Sequence, residues 1–222
     1  MTIPTLITPT RCRWATLAVA LLATATSLAA QGRPAGWTIV TDASGVQPGA
    51  GGVSMVTMSP GFHVETGPAA ILFDSTMTAR GAFRLQATIH LFNPGTRAEG
   101  FGVFFGGRGL GTAEARYSYA LVRRDGRALL KVRDGGTTRT VRDWTASNAV
   151  PIWSGTGQGA SVKYPLVLEA TADRVRLMIG ATTVLDAPRR ELPSDGIVGL
   201  RINHALNVHV ESVTVTPLPG RR

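Results

Sequence analysis

Apolar and polar side chains alternate along much of this chain, and the alternation is clearest in two places. Across Phe83–Phe92, the residues Phe83, Leu85, Ala87, Ile89 and Leu91 are apolar, and Arg84, Gln86, Thr88 and His90 stand between them. Successive side chains of a strand point to opposite faces, so this period of two predicts a half-buried strand with the first set inward. The second place is the stretch 162–215. Alternating runs at 162–170, 175–179, 183–185, 197–203 and 207–215 are separated by turn signals such as Ala172-Asp173 and Asp195-Gly196. In the last run the spacing shifts between Val210 and Val213, which predicts a β-bulge at Glu211-Ser212, because one extra residue switches the facing side. The run 101–105 is almost wholly apolar and reads as a central strand covered on both faces.

Shorter runs complete the pattern at Trp37–Thr41, 53–58, 117–124, 129–133 and 137–144. Asp125-Gly126 between two apolar runs is a hairpin signal. Phe62–Thr66 and 69–73 read as a second hairpin, across Gly67-Pro68. The Gly-rich segments 44–52, 106–115 and 148–161 read as loops. About a dozen strands with frequent turns and no long helical pattern predict an all-β protein, a two-sheet antiparallel β-sandwich of the jelly-roll type.

The N-terminus follows a different rule. Arg11 and Arg13 precede an uncharged apolar run at 15–28, and Ser27-Leu28-Ala29 has a small-x-small pattern. This predicts a signal peptide, with its helix, over 1–30, cut after Ala29 or Ala30. The run is short for a membrane span, which needs about 20 apolar residues, though an uncleaved anchor is the competing reading. The expected division is a signal peptide at 1–30, a linker at 31–36, a single β-sandwich domain at 37–217 and a tail at 218–222. Export to the periplasm or the medium follows, with no membrane span left after cleavage. The sole cysteine, Cys12, lies in the signal segment, so the mature chain depends on its core and not on disulfides. Removing Arg11 and Arg13 from the 23 basic residues leaves 21 against 14 acidic ones, a net charge of about +7. No basic run is interleaved with aromatics, so nucleic acid is not an expected partner.

The order of the segments carries a resemblance. GAFRLQATI at 81–89, GFGVFFGG at 100–107, YSYALVRRDGRALLKV at 117–132, DGIVGLR at 195–201 and the closing VHVESVTV at 208–215 follow one another. Together they resemble the concanavalin A-like lectin/glucanase superfamily. Within it they are similar to secreted domains of the 3-keto-disaccharide hydrolase-like type and, more loosely, to laminin-G-like and family 16 glucanase-like domains. The resemblance implies a curved sandwich with a glycan-facing concave sheet. Family 16 glucanases also hold their catalytic acids on one strand as E-x-D-x-x-E or E-x-D-x-E, where alternation puts them on one face. That string is absent here; Glu65, Glu169 and Glu211 each stand alone. No catalytic residue is therefore assigned.

Aromatic rings stack on sugar faces, while arginine and asparagine bond hydroxyls, so the outward positions of the strands supply the candidates. The expected ligand-binding residues are Arg84, His90, Tyr119, Arg123, Trp144, Trp153 and Arg201. Arg84, His90, Tyr119, Arg123 and Arg201 are expected on one sheet face. The same side chains also suit the wet face of an antiparallel sheet, and the two tryptophans equally suit caps on the open end of the core. His204 and His209 are five apart, while His63 and His90 are isolated in sequence. With no cysteine pair and no acidic calcium loop, neither a metal nor another cofactor is expected. These readings converge on an exported carbohydrate-binding or carbohydrate-associated module without catalysis, with a glycan or polysaccharide as partner. Two alternatives stay open. One is a glycoside-active hydrolase of the 3-keto-disaccharide hydrolase-like type, whose acids Glu65, Asp74 or Glu169 meet only in space. The other is a cell-envelope protein-interaction domain.

Overall fold

The structure, a computed structural model, describes residues 32–42 and 51–219. The signal segment 1–30, most of the loop at 44–52 and the end of the C-terminal tail lie outside the described residues. Fifteen strands are described: β1 (Trp37–Thr41), β2 (Val53–Thr57), β3 (Phe62–Thr66), β4 (Ala70–Asp74), β5 (Thr78–Ala79), β6 (Phe83–Phe92), β7 (Gly100–Arg108), β8 (Arg116–Arg123), β9 (Arg127–Asp134), β10 (Thr137–Ala146), β11 (Ser161–Ala170), β12 (Arg174–Ile179), β13 (Thr182–Pro188), β14 (Gly196–Ile202) and β15 (Asn207–Pro217). The first sheet has the order β1-β4-β14-β7-β8-β9-β10, with β5 added to β14; the second has the order β13-β12-β11-β6-β15-β3-β2. The one helical element among the described residues is a 3-10 turn at Arg189–Glu191, and none is long and apolar enough to cross a membrane.

Alternation sets the faces. In β6 the predicted inward set is buried and the polar set is not. Leu85, Ile89 and Leu91 pack in one core with Phe101, Val103 and Phe105 of β7, Leu200 of β14 and Val208 and Val210 of β15. β7 is also covered on its other side: Phe104 belongs to a second apolar cluster with Ile71, Phe73, Tyr117, Tyr119, Leu121 and Leu129. A nearly continuous apolar run is what two covered faces require. The predicted bulge is present, since the β15–β6 register shifts between Val210 and Ser212. Beyond it Val213 and Val215 are only half-buried, though they still pack against the core.

The expected hairpin across Gly67-Pro68 is not formed. β3 pairs with β15 and β2 in the second sheet, whereas β4 pairs with β1 and β14 in the first. Burial gives the reason. Ala70 and Leu72 of β4 face the core while Ile71 and Phe73 join the second cluster, so β4 needs a place inside the doubly covered sheet. β3 keeps a partly exposed face and suits the singly covered one. The crossover is fixed where Thr66 donates its backbone N–H to Leu206 O at 2.9 Å and its hydroxyl to Asn203 O at 2.6 Å.

Candidate functional site

The outward face of the first sheet holds the densest group of polar and aromatic side chains among the candidates. Register sets Arg201 beside Gly102, Gly102 beside Leu121, Phe104 beside Tyr119 and Gly100 beside Arg123. Gly100 carries no side chain, so longer neighbours lie across β7 at that point. A Cβ at Gly100 would sit 2.9 Å from Cη2 of Trp144, which reaches over from β10. The Arg123 guanidinium stacks 4.5 Å from the Trp144 ring centroid, and that of Arg201 lies 5.8 Å from the Tyr119 ring.

Arg201 is 8% exposed. Its guanidinium forks onto Asp42, with Nη1 donating to Oδ1 at 2.8 Å and Nη2 to Oδ2. Nη1 also donates to the Tyr117 hydroxyl at 3.2 Å, and Nε to Asn203 Oδ1 at 3.2 Å. Arg133 adds a second cation, its Nη1 donating to Asp42 Oδ1 at 3.1 Å. Burial alone would raise the Asp42 carboxyl, but the Arg201 hydrogen bonds and the charges of Arg201 and Arg133 outweigh it and hold the group below its ordinary value. Burial pushes the Tyr117 and Tyr119 phenols up, so both stay protonated donors. Val40, Asp42, Ile71, Gly111, Tyr117 and Arg133 enclose a pocket of about 100 Å³.

The five candidates expected on one sheet face, Arg84, His90, Tyr119, Arg123 and Arg201, are divided between the two sheets. Tyr119, Arg123, Trp144 and Arg201 meet as described. Arg84 and His90 lie on β6 in the second sheet, on that sheet's outward side. Alternation assigns a side chain to a face of its own strand, not to a sheet, which is why the two sets could not be told apart. Arg84 donates Nε to Glu169 Oε1 at 2.9 Å, and His90 Nε2 lies 2.9 Å from Glu211 Oε2. Trp153 is a cap: it packs against the core, donates Nε1 to Leu91 O at 3.1 Å, and lies under Arg124, whose guanidinium is 5.8 Å from its ring.

The scattered acids do not meet either. Asp74 ends β4 in the first sheet and accepts from Thr76. Glu65 on β3 and Glu169 on β11 are separated by β15 and β6, and bond Asn207 and Arg84 respectively. A cleft of about 620 Å³ lies at the end of the second sheet among Ala82, Glu169, Asp173, Arg176, Arg189 and Leu218. His63 and His90, isolated in sequence, come to lie on either side of His209 in the sheet. Among the described residues no three His, Cys, Asp or Glu side chains are arranged to hold a metal ion. Asp42 and Arg133 are not among the candidates; Asp42 follows the short β1, Arg133 is the penultimate residue of β9, neither carries a local motif, and only the sheet order brings them to Arg201.

No family model matches the sequence, and no curated protein is similar to it. Solved structures do resemble it in shape. The carbohydrate binding module CBM66 from Bacillus subtilis superposes with a TM-score of 0.59 at 16% identity, over 84% of this chain and 96% of that one. The exoplasmic/lumenal domain of VIP36 in its Ca2+/Man-bound form gives 0.55 at 9% identity, over 84% and 85%. A GlcNAcα1-4Gal releasing endo-β-galactosidase from Clostridium perfringens gives 0.50 at 6% identity, over 77% of this chain and 55% of that one. At these identities the likeness concerns the fold, which is a concanavalin A-like sandwich of two antiparallel sheets.

Proposed function

We propose that this protein is an exported carbohydrate-binding module without catalytic activity, and that its sugar seat is the outward face of the first sheet. The observation that carries the reading is the Asp42–Arg201–Arg133 network, whose Asp42 and Arg133 line the small pocket together with Tyr117. A carboxylate that accepts and guanidinium groups that donate, one of them stacked near the Tyr119 ring, match the paired donors and acceptors of vicinal hydroxyls. The pocket takes one edge of a sugar ring, and the rest of the ligand lies across the face toward Arg123 and Trp144. Two arginines against one aspartate leave this corner net positive, which also suits an acidic sugar. The carbohydrate-binding neighbours in fold support this reading. The separation of Glu65, Asp74 and Glu169 speaks against a catalytic acid pair.

Affinity electrophoresis through neutral and acidic polysaccharides tests the proposal. The parent is expected to be retarded by at least one glycan. Arg133→Ala and Trp144→Ala are expected to weaken retention about tenfold or more, the equivalent of roughly 1.4 kcal/mol, with little change in Tm. A parent that passes every glycan unretarded, or variants retained as well as the parent, would overturn it.

A further inference from the structure

The second sheet carries a feature that sugar binding does not use. Register puts His63 of β3 opposite His209 of β15, His209 opposite His90 of β6, and His90 opposite Lys163 of β11. All four side chains alternate with core residues and so point outward. The ring centroids of His63 and His209 are 6.4 Å apart, and those of His209 and His90 are 6.0 Å apart. β2 presents Val56 beside His63, which adds no charge.

Two carboxylates serve this row. Glu211 lies 2.9 Å from both His90 Nε2 and Lys163 Nζ, and Glu65 lies 3.8 Å from His63 Nε2. His209, in the middle, has no ion-pair partner among those described, and its Nδ1 is buried with no hydrogen-bond partner. A fully protonated row would set three imidazoliums and Lys163 against Glu65 and Glu211, an excess of two positive charges. Like charges directly opposite on neighbouring strands are destabilising. Burial lowers the proton affinity of His209, and the charges of His90 and His63 add to it; a hydrogen bond to the Pro60 backbone in the β2–β3 turn and the charge of Glu211 oppose the shift without cancelling it.

The row crosses a weak seam. β2 and β3 form the edge of the sheet, and β3 joins β15 through a ladder running only from Asn207↔Glu65 to Val210↔Phe62. The β15–β6 ladder on the other side of His209 runs the length of β15, from Val208↔Leu91 to Pro217↔Phe83. Thr66 ties the far end of the hairpin to Leu206 and Asn203. We propose that His63, His209 and His90 form an acid-operated latch that holds the β2–β3 hairpin closed when neutral and loosens it from β15 when protonated. Imidazoles charge as pH falls toward 5, so the latch works in that range. The sign is consistent. A histidine whose folded pKa is depressed binds fewer protons folded than unfolded, so its contribution is complete above about pH 6.5 and is lost as pH falls below that value. Opening uncovers Val53, Met55, Phe62 and Val64, which are otherwise buried.

Hydrogen–deuterium exchange of the full chain, in EDTA, at pH 7.5 and pH 5.0 and corrected for intrinsic rates, reads the latch directly. Protection across residues 53–66 is expected to fall at least tenfold more than protection across the β8–β9 hairpin, while His209→Gln abolishes that difference. If His209→Gln does not fold, His63→Gln removes the same repulsion and stands in its place. Three results would overturn the latch: no fall in the parent, an equal fall in both hairpins, or a variant that opens as the parent does.

Discussion

Arg201 shows what a single position can and cannot disclose. Its place in the DGIVGLR run put it on the outward face of a strand, as the structure finds. Its partner Asp42 is 159 residues away, at the end of a short strand, and no local pattern links the two. Their pairing makes Arg201 structural as well as a candidate for binding. Arg201→Ala leaves Asp42 without its fork. The expected cost is about 2–3 kcal/mol, below the roughly 3–5 kcal/mol of a fully buried pair, because the Asp42 side chain keeps 31% exposure and part of its hydration. Urea denaturation measures it, and adding Asp42→Asn should recover most of the loss. The pH dependence has a definite sign. A depressed carboxyl contributes stability in full above its unfolded pKa of about 3.9 and loses it as pH falls through the folded value. The gap between parent and Arg201→Met should therefore close as pH drops below about 4, and a constant gap would assign the effect to packing.

At the scale of elements, period-two patterning names the faces of β6 and the doubly covered β7, and the valine spacing locates the bulge in β15. It could not name partners. Strand pairing depends on contacts distant in sequence, so Arg84 and Tyr119, both outward on their own strands, were assigned one face when they belong to two sheets. The β3–β4 connection failed for the same reason: Gly67-Pro68 looks like a tight turn, and only the burial of β4 on both sides shows that the chain changes sheets there. The register of β6 makes a firm prediction. Ile89 is 0% exposed at the centre of the core, and Ile89→Ala should cost about 2–5 kcal/mol from lost burial and the cavity left behind. Thr88→Ala, one residue away on the outward face, should stay within about 0.5 kcal/mol. Equal effects at the two positions would mean that the strand is out of register.

For the whole molecule, the reading of the N-terminal segment as an export signal makes a direct prediction. Intact-mass measurement of periplasmic or secreted material should find a chain beginning at Ala30 or Gln31, and a retained Met1 in that fraction would reject export by cleavage. The strands β7 and β6 also differ in how much change they can absorb. In β7 every residue from Gly100 to Gly107 is buried, since one side of the strand faces the core and the other the second cluster. In β6 every second residue is free of the core. A saturation library scored for folded protein should thus return an unbroken intolerant block across β7 and a comb of tolerant positions across β6. If so, β6 accepts sequence drift that β7 cannot, and distant homologues will be recognised by the segment around Phe101–Phe105 long after β6 has lost its resemblance.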